Sequence, residues 1–151
     1  MAKHVFIQEI VTNRRAFYDY EILDKFEAGI KLSGNEVKAV KNGWVNLTGS
    51  YVVIRNNEAF IINLNISPYQ PNNLSSKIEP LRTRKLLLQK REILNLNQKT
   101  KKEKLTLIPL KVYNKNGLIK LEIALVKNKK KYNKKEIIKK REEERRIKQV
   151  Y

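Results

Sequence analysis

Leu105-Thr-Leu-Ile-Pro-Leu-Lys-Val-Tyr113, Asn114-Lys-Asn-Gly117 and Leu118-Ile-Lys-Leu-Glu-Ile-Ala-Leu-Val126 read as strand, turn and strand. Alternation in the second strand puts Leu118, Lys120 and Glu122 on one side and Ile119, Leu121 and Ile123 on the other, the period of a half-buried strand. Asn-Gly at the turn supplies the backbone angles that a tight hairpin needs. Pro109 has no amide to donate, so its strand is expected to be an edge or to carry a bulge. Working outward, Asn46 to Arg55 turns at Asn56-Asn57-Glu58 and returns through Ala59 to Leu64 as a second hairpin. Ala16 to Phe26 reads as a strand on the β propensity of Phe17, Tyr18, Tyr20, Ile22 and Leu23, and Gly29 marks a bulge or bend beyond it. At least five strands that must pair across long sequence separations fit a mainly β, small, partly open barrel. A doubly wound sheet would need regular alternation of strand and helix.

Helical signals are fewer. Ser33-Gly-Asn-Glu36 is a capping box, with Val37 and Val40 supplying the buried side of a short helix that Asn42-Gly43 stops. The Glu36 carboxylate therefore has a structural role available to it, reaching back to the Ser33 amide. A second helix is expected from Pro80 through Arg82-Thr-Arg-Lys85 to Asn97, broken near Gln89, because Leu86 and Ile93, and Leu87 and Leu94, are seven apart. Its Arg82, Arg84, Lys85 and Arg91 are left to solvent or phosphate. Trp44 and Tyr51 are read as core or half-buried packing residues in preference to base-stacking platforms, because aromatic side chains usually bury. Ser67 to Asn73 is a loop. Val5, Ile7 and Ile10 either make a short contact with the body or fray with the terminus.

With 151 residues the chain has room for one core, and it carries 33 basic against 15 acidic residues, a net charge of +18. Such a surface suits a nucleic-acid backbone and predicts salt-sensitive binding. There is no cysteine and a single histidine, His4, so thiolate zinc, disulfides and a Ser/His/Asp triad are all excluded. No metal, cofactor or catalytic residue is expected. The polar start does not resemble a secretory signal and no apolar run suits a membrane, so a cytoplasmic, monomeric protein is expected.

From Lys127 to Tyr151 the composition changes. Twelve basic and four acidic residues give +8 in this segment, leaving +10 on residues 1–126. The division expected is a folded body over 1–126 and a basic tail over 127–151. Glu136 and Lys140, Glu142 and Arg146, and Glu144 and Lys148 are acid-before-base pairs at the favourable helical spacing, yet a lone helix of this length is marginal in water. The tail is expected to be disordered alone and helical on a polyanionic partner. Composition alone also fits a solvated, solubilising tail.

Asn13-Arg-Arg-Ala16, Phe26-Glu-Ala-Gly-Ile30, Leu32 to Lys41, Ser50-Tyr-Val52, Glu58-Ala-Phe60, Pro68-Tyr69 and Arg82-Thr-Arg-Lys-Leu-Leu-Leu88, followed by a basic tail, together resemble the SsrA-binding protein (small protein B) family. The resemblance covers nearly the full length. It implies an OB-like barrel that grips the tRNA-like domain of transfer-messenger RNA and a tail that enters the empty mRNA path of a stalled small ribosomal subunit. Elongation factor Tu would accompany the delivery complex. By this resemblance Asn13, Arg14, Glu36, Lys38, Arg82, Arg84, Lys85, Lys127 and Lys129 belong to the RNA-binding surface. Lys130, Lys131, Tyr132, Asn133, Lys134, Lys135, Lys139, Lys140, Arg141 and Arg145 belong to the ribosome-contacting tail near the decoding centre.

Some positions depart from the family's usual pattern. Asn128 stands for a usual glycine, Asn133 and Lys135 for aspartate and arginine, Gly49 for an acidic residue, and Trp44 is larger than expected. Lysine cannot reproduce the bidentate fork of arginine, so Tyr132 and bulk charge carry more of the tail's expected role. Two other classes fit the composition: a structural ribosomal or generic single-stranded RNA-binding protein, and an RNA-modifying or RNA-cleaving enzyme. The second lacks any acid–base or metal constellation in the sequence, since Glu36 and Glu58 have no histidine partner.

Overall fold

The computed structural model describes residues 6–68 and 79–129. In chain order its elements are β1 (Ile7–Thr12), α1 (Arg14–Asp19), β2 (Tyr20–Ile30), α2 (Gly34–Lys41), β3 (Val45–Asn46), β4 (Tyr51–Arg55), β5 (Glu58–Ile62), β6 (Asn65–Ile66), β7 (Arg84–Leu87), α3 (Lys90–Glu103), β8 (Thr106–Lys115) and β9 (Leu118–Asn128). The main sheet has 7 strands in the order β1-β8-β4-β5-β7-β2-β9, and a further pairing joins β9 to β8. Every pairing is antiparallel, and β3 with β6 forms a separate small ladder. The fold is mainly β, of OB-like topology, with helices at its periphery.

Both expected hairpins are present. Asn56 and Asn57 have φ of 51° and 61°, the positive angles of a two-residue turn whose twist matches its strands. Asn116 and Gly117 repeat this between β8 and β9, where the Asn114 side chain accepts from the Gly117 amide at 2.8 Å. The alternation read in β9 holds from Leu118 to Ile123 and then gives way, because Ala124, Leu125 and Val126 are all buried. Both faces are covered there. Ile123 and Leu125 enter the main core with Leu107, Val112, Ile61 and Leu86, whereas Ala124 and Val126 pack with Ile108 and Leu110 beneath Ala16 of α1.

Pro109 sits at a bulge, since the β8–β9 register shifts between Pro109 and Lys111. A bulge leaves backbone carbonyls without ladder partners, and buried carbonyls need donors. Asn13 supplies two: its amide donates to the Leu110 carbonyl at 2.7 Å and its side chain to the Pro109 carbonyl at 3.1 Å. Asn13 is also at the N-cap of α1, where its side chain makes no capping hydrogen bond. The start of the chain's described part is a strand, β1, which pairs with β8 and resolves the alternative in favour of contact for Ile7 and Ile10, while Val5 lies outside the described residues.

Four expectations are corrected. The strand expected from Ala16 begins at Tyr20, and Phe17 and Tyr18 lie on α1, a helix too short to show a periodicity. The helix expected from Pro80 is instead β7 followed by α3, with Gln89 as the N-cap of α3 in a capping box with Glu92. In β7 the chain alternates, with Arg84 and Leu86 buried and Leu87 exposed; an inward arginine hid that period from a hydrophobicity reading. Trp44 and Tyr51 are exposed, at 44% and 38%.

Gly29 is not a bend. It lies within β2, paired with Leu87 on one side and Lys120 on the other, and a Cβ there would meet the Leu87 Cβ at 3.1 Å. The close approach of β7 leaves little room for any larger residue. Gly29→Val is therefore expected to lower stability by about 1–3 kcal/mol through overpacking, read as a reduced urea midpoint. An unchanged midpoint would show that β7 yields without cost.

Candidate nucleic-acid interface

The best-defined polar constellation joins α2 to β7. Ser33 caps α2 by accepting from the Glu36 amide at 3.2 Å, and one Glu36 carboxylate oxygen accepts from the Ser33 amide at 3.0 Å. Glu36 does more than close this box. The same oxygen also accepts from the Arg82 guanidinium, and the other accepts from Arg84 Nε at 2.5 Å.

Arg84 is only 1% exposed, an unusual site for a cation, and both of its Nη nitrogens donate to backbone carbonyls. Nη1 donates to the Leu64 carbonyl at 2.7 Å and to the Arg82 carbonyl at 2.9 Å, and Nη2 to the Pro80 carbonyl at 3.1 Å. The sequence reading left Arg84 to solvent or phosphate; it is instead a structural cation. Arg82, by contrast, has a side chain 42% exposed while held by Glu36. The geometry orders one guanidinium by means of another.

Burial by itself pushes the Glu36 carboxyl up, but the Ser33 amide and the two guanidinium groups outweigh it and hold the carboxyl below its ordinary value. Burial pushes Arg84 down, opposed by Glu36. Each carboxylate oxygen is already engaged, so Glu36 is placed to orient Arg82 more than to accept from a base edge.

The other expected RNA-binding residues fall into further places. Lys38 is exposed on α2, and Lys85, pointing opposite to Arg84, pairs with Glu58 at 3.5 Å. Around α1 stand Arg14, exposed on the helix, and Lys129, whose Nζ donates to the Phe17 carbonyl at 3.2 Å. Asn13 starts this helix but is buried at the bulge, and Lys127 pairs with Glu21 in the β2–β9 ladder. A cleft of about 360 Å³ runs between α1 and the turn before β4, lined by Asn13, Arg15, Tyr20, Ser50, Tyr51 and Thr106 among others. Lys130, Lys131, Tyr132, Asn133, Lys134, Lys135, Lys139, Lys140, Arg141 and Arg145 lie outside the described residues, as does Tyr69.

The exposure of Tyr18 and Trp44 was not expected from the sequence. Tyr18 is 79% exposed on α1 and Trp44 stands at the end of α2; strand propensity concealed the first and aromatic burial statistics the second. Among the described residues no group of three or more His, Cys, Asp or Glu could hold a metal ion, and no helix is long and apolar enough to cross a membrane.

Comparison with known proteins gives concordant results. A family model described as SmpB protein matches residues 10–151. An SsrA-binding protein of Persephonella marina is 50% identical over 147 residues, covering 96% of this chain and 95% of the relative. Another, from Mycoplasma mycoides, is 45% identical over 146 residues, covering 97% and 96%. A chain of the solved structure "tmRNA-SmpB: a journey to the center of the bacterial ribosome" is 42% identical with a TM-score of 0.68, covering 84% of this chain and 89% of that one.

Removing Glu36 leaves the Arg84 cation buried and unpaired. Glu36→Ala should cost about 3–5 kcal/mol in chemical unfolding, the penalty typical of breaking a buried pair. Because the folded carboxyl titrates below its ordinary value of 4.5, its contribution is present above that value and is lost as pH falls through the folded value. Stability measured from pH 6 downward, to roughly pH 3, should decline in the wild type and decline less in Glu36→Gln. Parallel curves would show that Glu36 does not titrate with folding.

Proposed function

This chain belongs to the SmpB protein family, and on that premise we propose that it is an RNA-binding adaptor, not an enzyme, that binds transfer-messenger RNA and brings it to stalled ribosomes. The observation that carries the reading is identity of 50% to an SsrA-binding protein across 96% of the chain. Its chemistry is positioning. No bond is made or broken; cations neutralise phosphate and fix the RNA in one orientation.

Within this reading the described body binds the tRNA-like domain. Arg82, held by Glu36, and Lys38, exposed on α2, are one set of cations, and Arg14 and Lys129 are a second set about α1. Arg84 and Asn13 serve both sets indirectly, the first by fixing β7 and α2, the second by fixing α1 against the β8 bulge. Lys85 and Lys127 add charge at strand positions. The sheet, whose pairings return from β9 to β8, is read as a small, partly open barrel, because β4 meets β8 through one residue pair, Val52 with Leu107.

The basic tail is the ribosome-facing part. Lys130 to Arg145 would lie in the empty mRNA path of the small subunit, with Tyr132 stacking near the decoding centre and elongation factor Tu accompanying delivery. Supporting this division is the charge of the segment after Val126, +8 against +10 for the rest. The body's last strand reaches Asn128, however, so the functional boundary is better drawn after Lys129 than after Val126.

Binding to transfer-messenger RNA at physiological salt in excess bulk tRNA tests the reading. The full chain and a chain ending at Lys129 are expected to bind with similar, selective affinity, while only the full chain supports peptide tagging on stalled ribosomes. Loss of selectivity in the full chain would favour a generic RNA-binding protein. Loss of binding only on truncation would move recognition into the tail.

A further inference from the structure

We propose that Lys101, Lys102 and Lys104, at the end of α3, form a docking patch on the folded body for phosphates of small-subunit ribosomal RNA, beside the point where the basic tail leaves. The inference rests on the ribosome-facing reading of the tail and extends it to the body. The backbone at Lys104 is strained. Among the described residues five that are not glycine have positive φ, and four of them are asparagine, which tolerates that conformation. The fifth is Lys104, the C-cap of α3, with φ of 52° and ψ of 43°. Helices commonly close on a left-handed residue, usually glycine or asparagine, because a longer side chain there costs stability.

The helix dipole accounts for part of this charge. Cations are favoured in the last turn of a helix, where Lys101 and Lys102 stand. The dipole does not require a lysine at the one position whose backbone disfavours it, so Lys104 serves something other than the fold. All three lysines are exposed, and no salt bridge among the described residues involves α3. Glu103, also exposed, lies between them in sequence, so three positive charges against one negative leave +2. Unpaired cations kept at a cost to the backbone suit a partner that brings phosphates.

Strand register places the patch. β8 begins at Thr106, which pairs with Val126 near the end of β9, and Asn128 and Lys127 pair with Tyr20 and Glu21 at the start of β2. Lys104 is two residues before Thr106, so their Cα atoms are at most about 7 Å apart. Leu105, buried between them, pins the turn to the core. The end of α3 and the exit of residues 130–151 therefore share one end of the sheet. Arg82 and Glu36 belong to the other end of β2, where Ile30 pairs with Leu86. Continuity with the tail selects the ribosomal RNA around the tail's path as the occupant. The cations of α1 stand at this same end, so the test separates the two RNAs.

Full-length wild type and a Lys101→Ala/Lys102→Ala/Lys104→Gly variant are titrated against vacant small ribosomal subunits over a range of salt, and against a transcript of the tRNA-like domain in excess bulk tRNA. The variant is expected to bind subunits about tenfold more weakly, with a slope of log affinity against log salt smaller by about 2–3, as three lost phosphate contacts dictate. Binding to the transcript should stay within about twofold of wild type. Lys104→Gly alone should raise the urea midpoint while lowering the subunit salt slope by about 1, a gain in stability with a loss of binding that a merely structural lysine would not show. Wild-type subunit affinity and slope in the triple variant would overturn the patch and leave the adaptor reading in place. An equal loss on the transcript would overturn it too, since the lysines would then serve the tRNA-like domain. So would a lower urea midpoint in Lys104→Gly, which would show that the fold needs that lysine. A wild type that binds the transcript selectively and fails to bind subunits would overturn the tail's ribosome-facing reading and this proposal together.

Discussion

A buried guanidinium is the constraint around which this molecule is arranged. Taking Arg84 out of water is costly, and the cost is offset only if its donors and charge find partners. They find them in four places: the Glu36 carboxylate of α2, the Leu64 carbonyl before β6, and the Arg82 and Pro80 carbonyls leading into β7. Segments far apart in sequence are thereby held to one geometry. Hydrophobic packing alone would join them less selectively, since apolar surfaces slide without losing a specific partner. The same carboxylate that receives Arg84 also holds Arg82 and the Ser33 amide, so one acidic side chain couples helix capping, sheet placement and the aim of an exposed cation.

A second constraint acts at the opposite end of the chain's topology. Pro109 cannot donate to the ladder, the strand bulges, and two carbonyls are left for Asn13. That clamp sets where α1 begins and brings Ala16 down upon Ile108, Leu110, Ala124 and Val126. β8 and β9 are therefore buried on both faces near these residues and on one face elsewhere. The helix that results presents Arg14, Arg15 and Tyr18 outward, and Lys129 reaches back to it at the point where the last strand ends. Structural polarity and surface charge are linked in both regions: a buried polar residue, Arg84 or Asn13, positions the exposed cations beside it.

The chain's charge is distributed unevenly along its sequence. On the body it is carried by individual lysines and arginines set by the sheet and helices, a form suited to holding one structured RNA in one orientation. In the segment after Lys129 it is concentrated and interleaved with acids at helical spacing, a form suited to ordering on a large polyanion.

Hairpins, capping and charge were legible in the sequence because each depends on residues close together along the chain. The Asn-Asn and Asn-Gly turns, the Ser33–Glu36 box and the alternation from Leu118 to Ile123 all rest on local geometry, and the family resemblance rests on short motifs in a fixed order. What the tertiary structure alone decided was the role of polar and aromatic residues whose partners are distant. Arg84 read as a surface cation because nothing near it in sequence shows the carbonyls of Leu64 and Pro80. Asn13 read as a surface amide because the Pro109 bulge lies 96 residues away. Leu86 and Leu87 shared a helical spacing with Ile93 and Leu94, yet β5 and β2 flank that segment and pair with it, and a strand results where pairing outweighs local propensity. Burial depends on the whole chain's packing, and composition cannot report which side chain that packing turns inward.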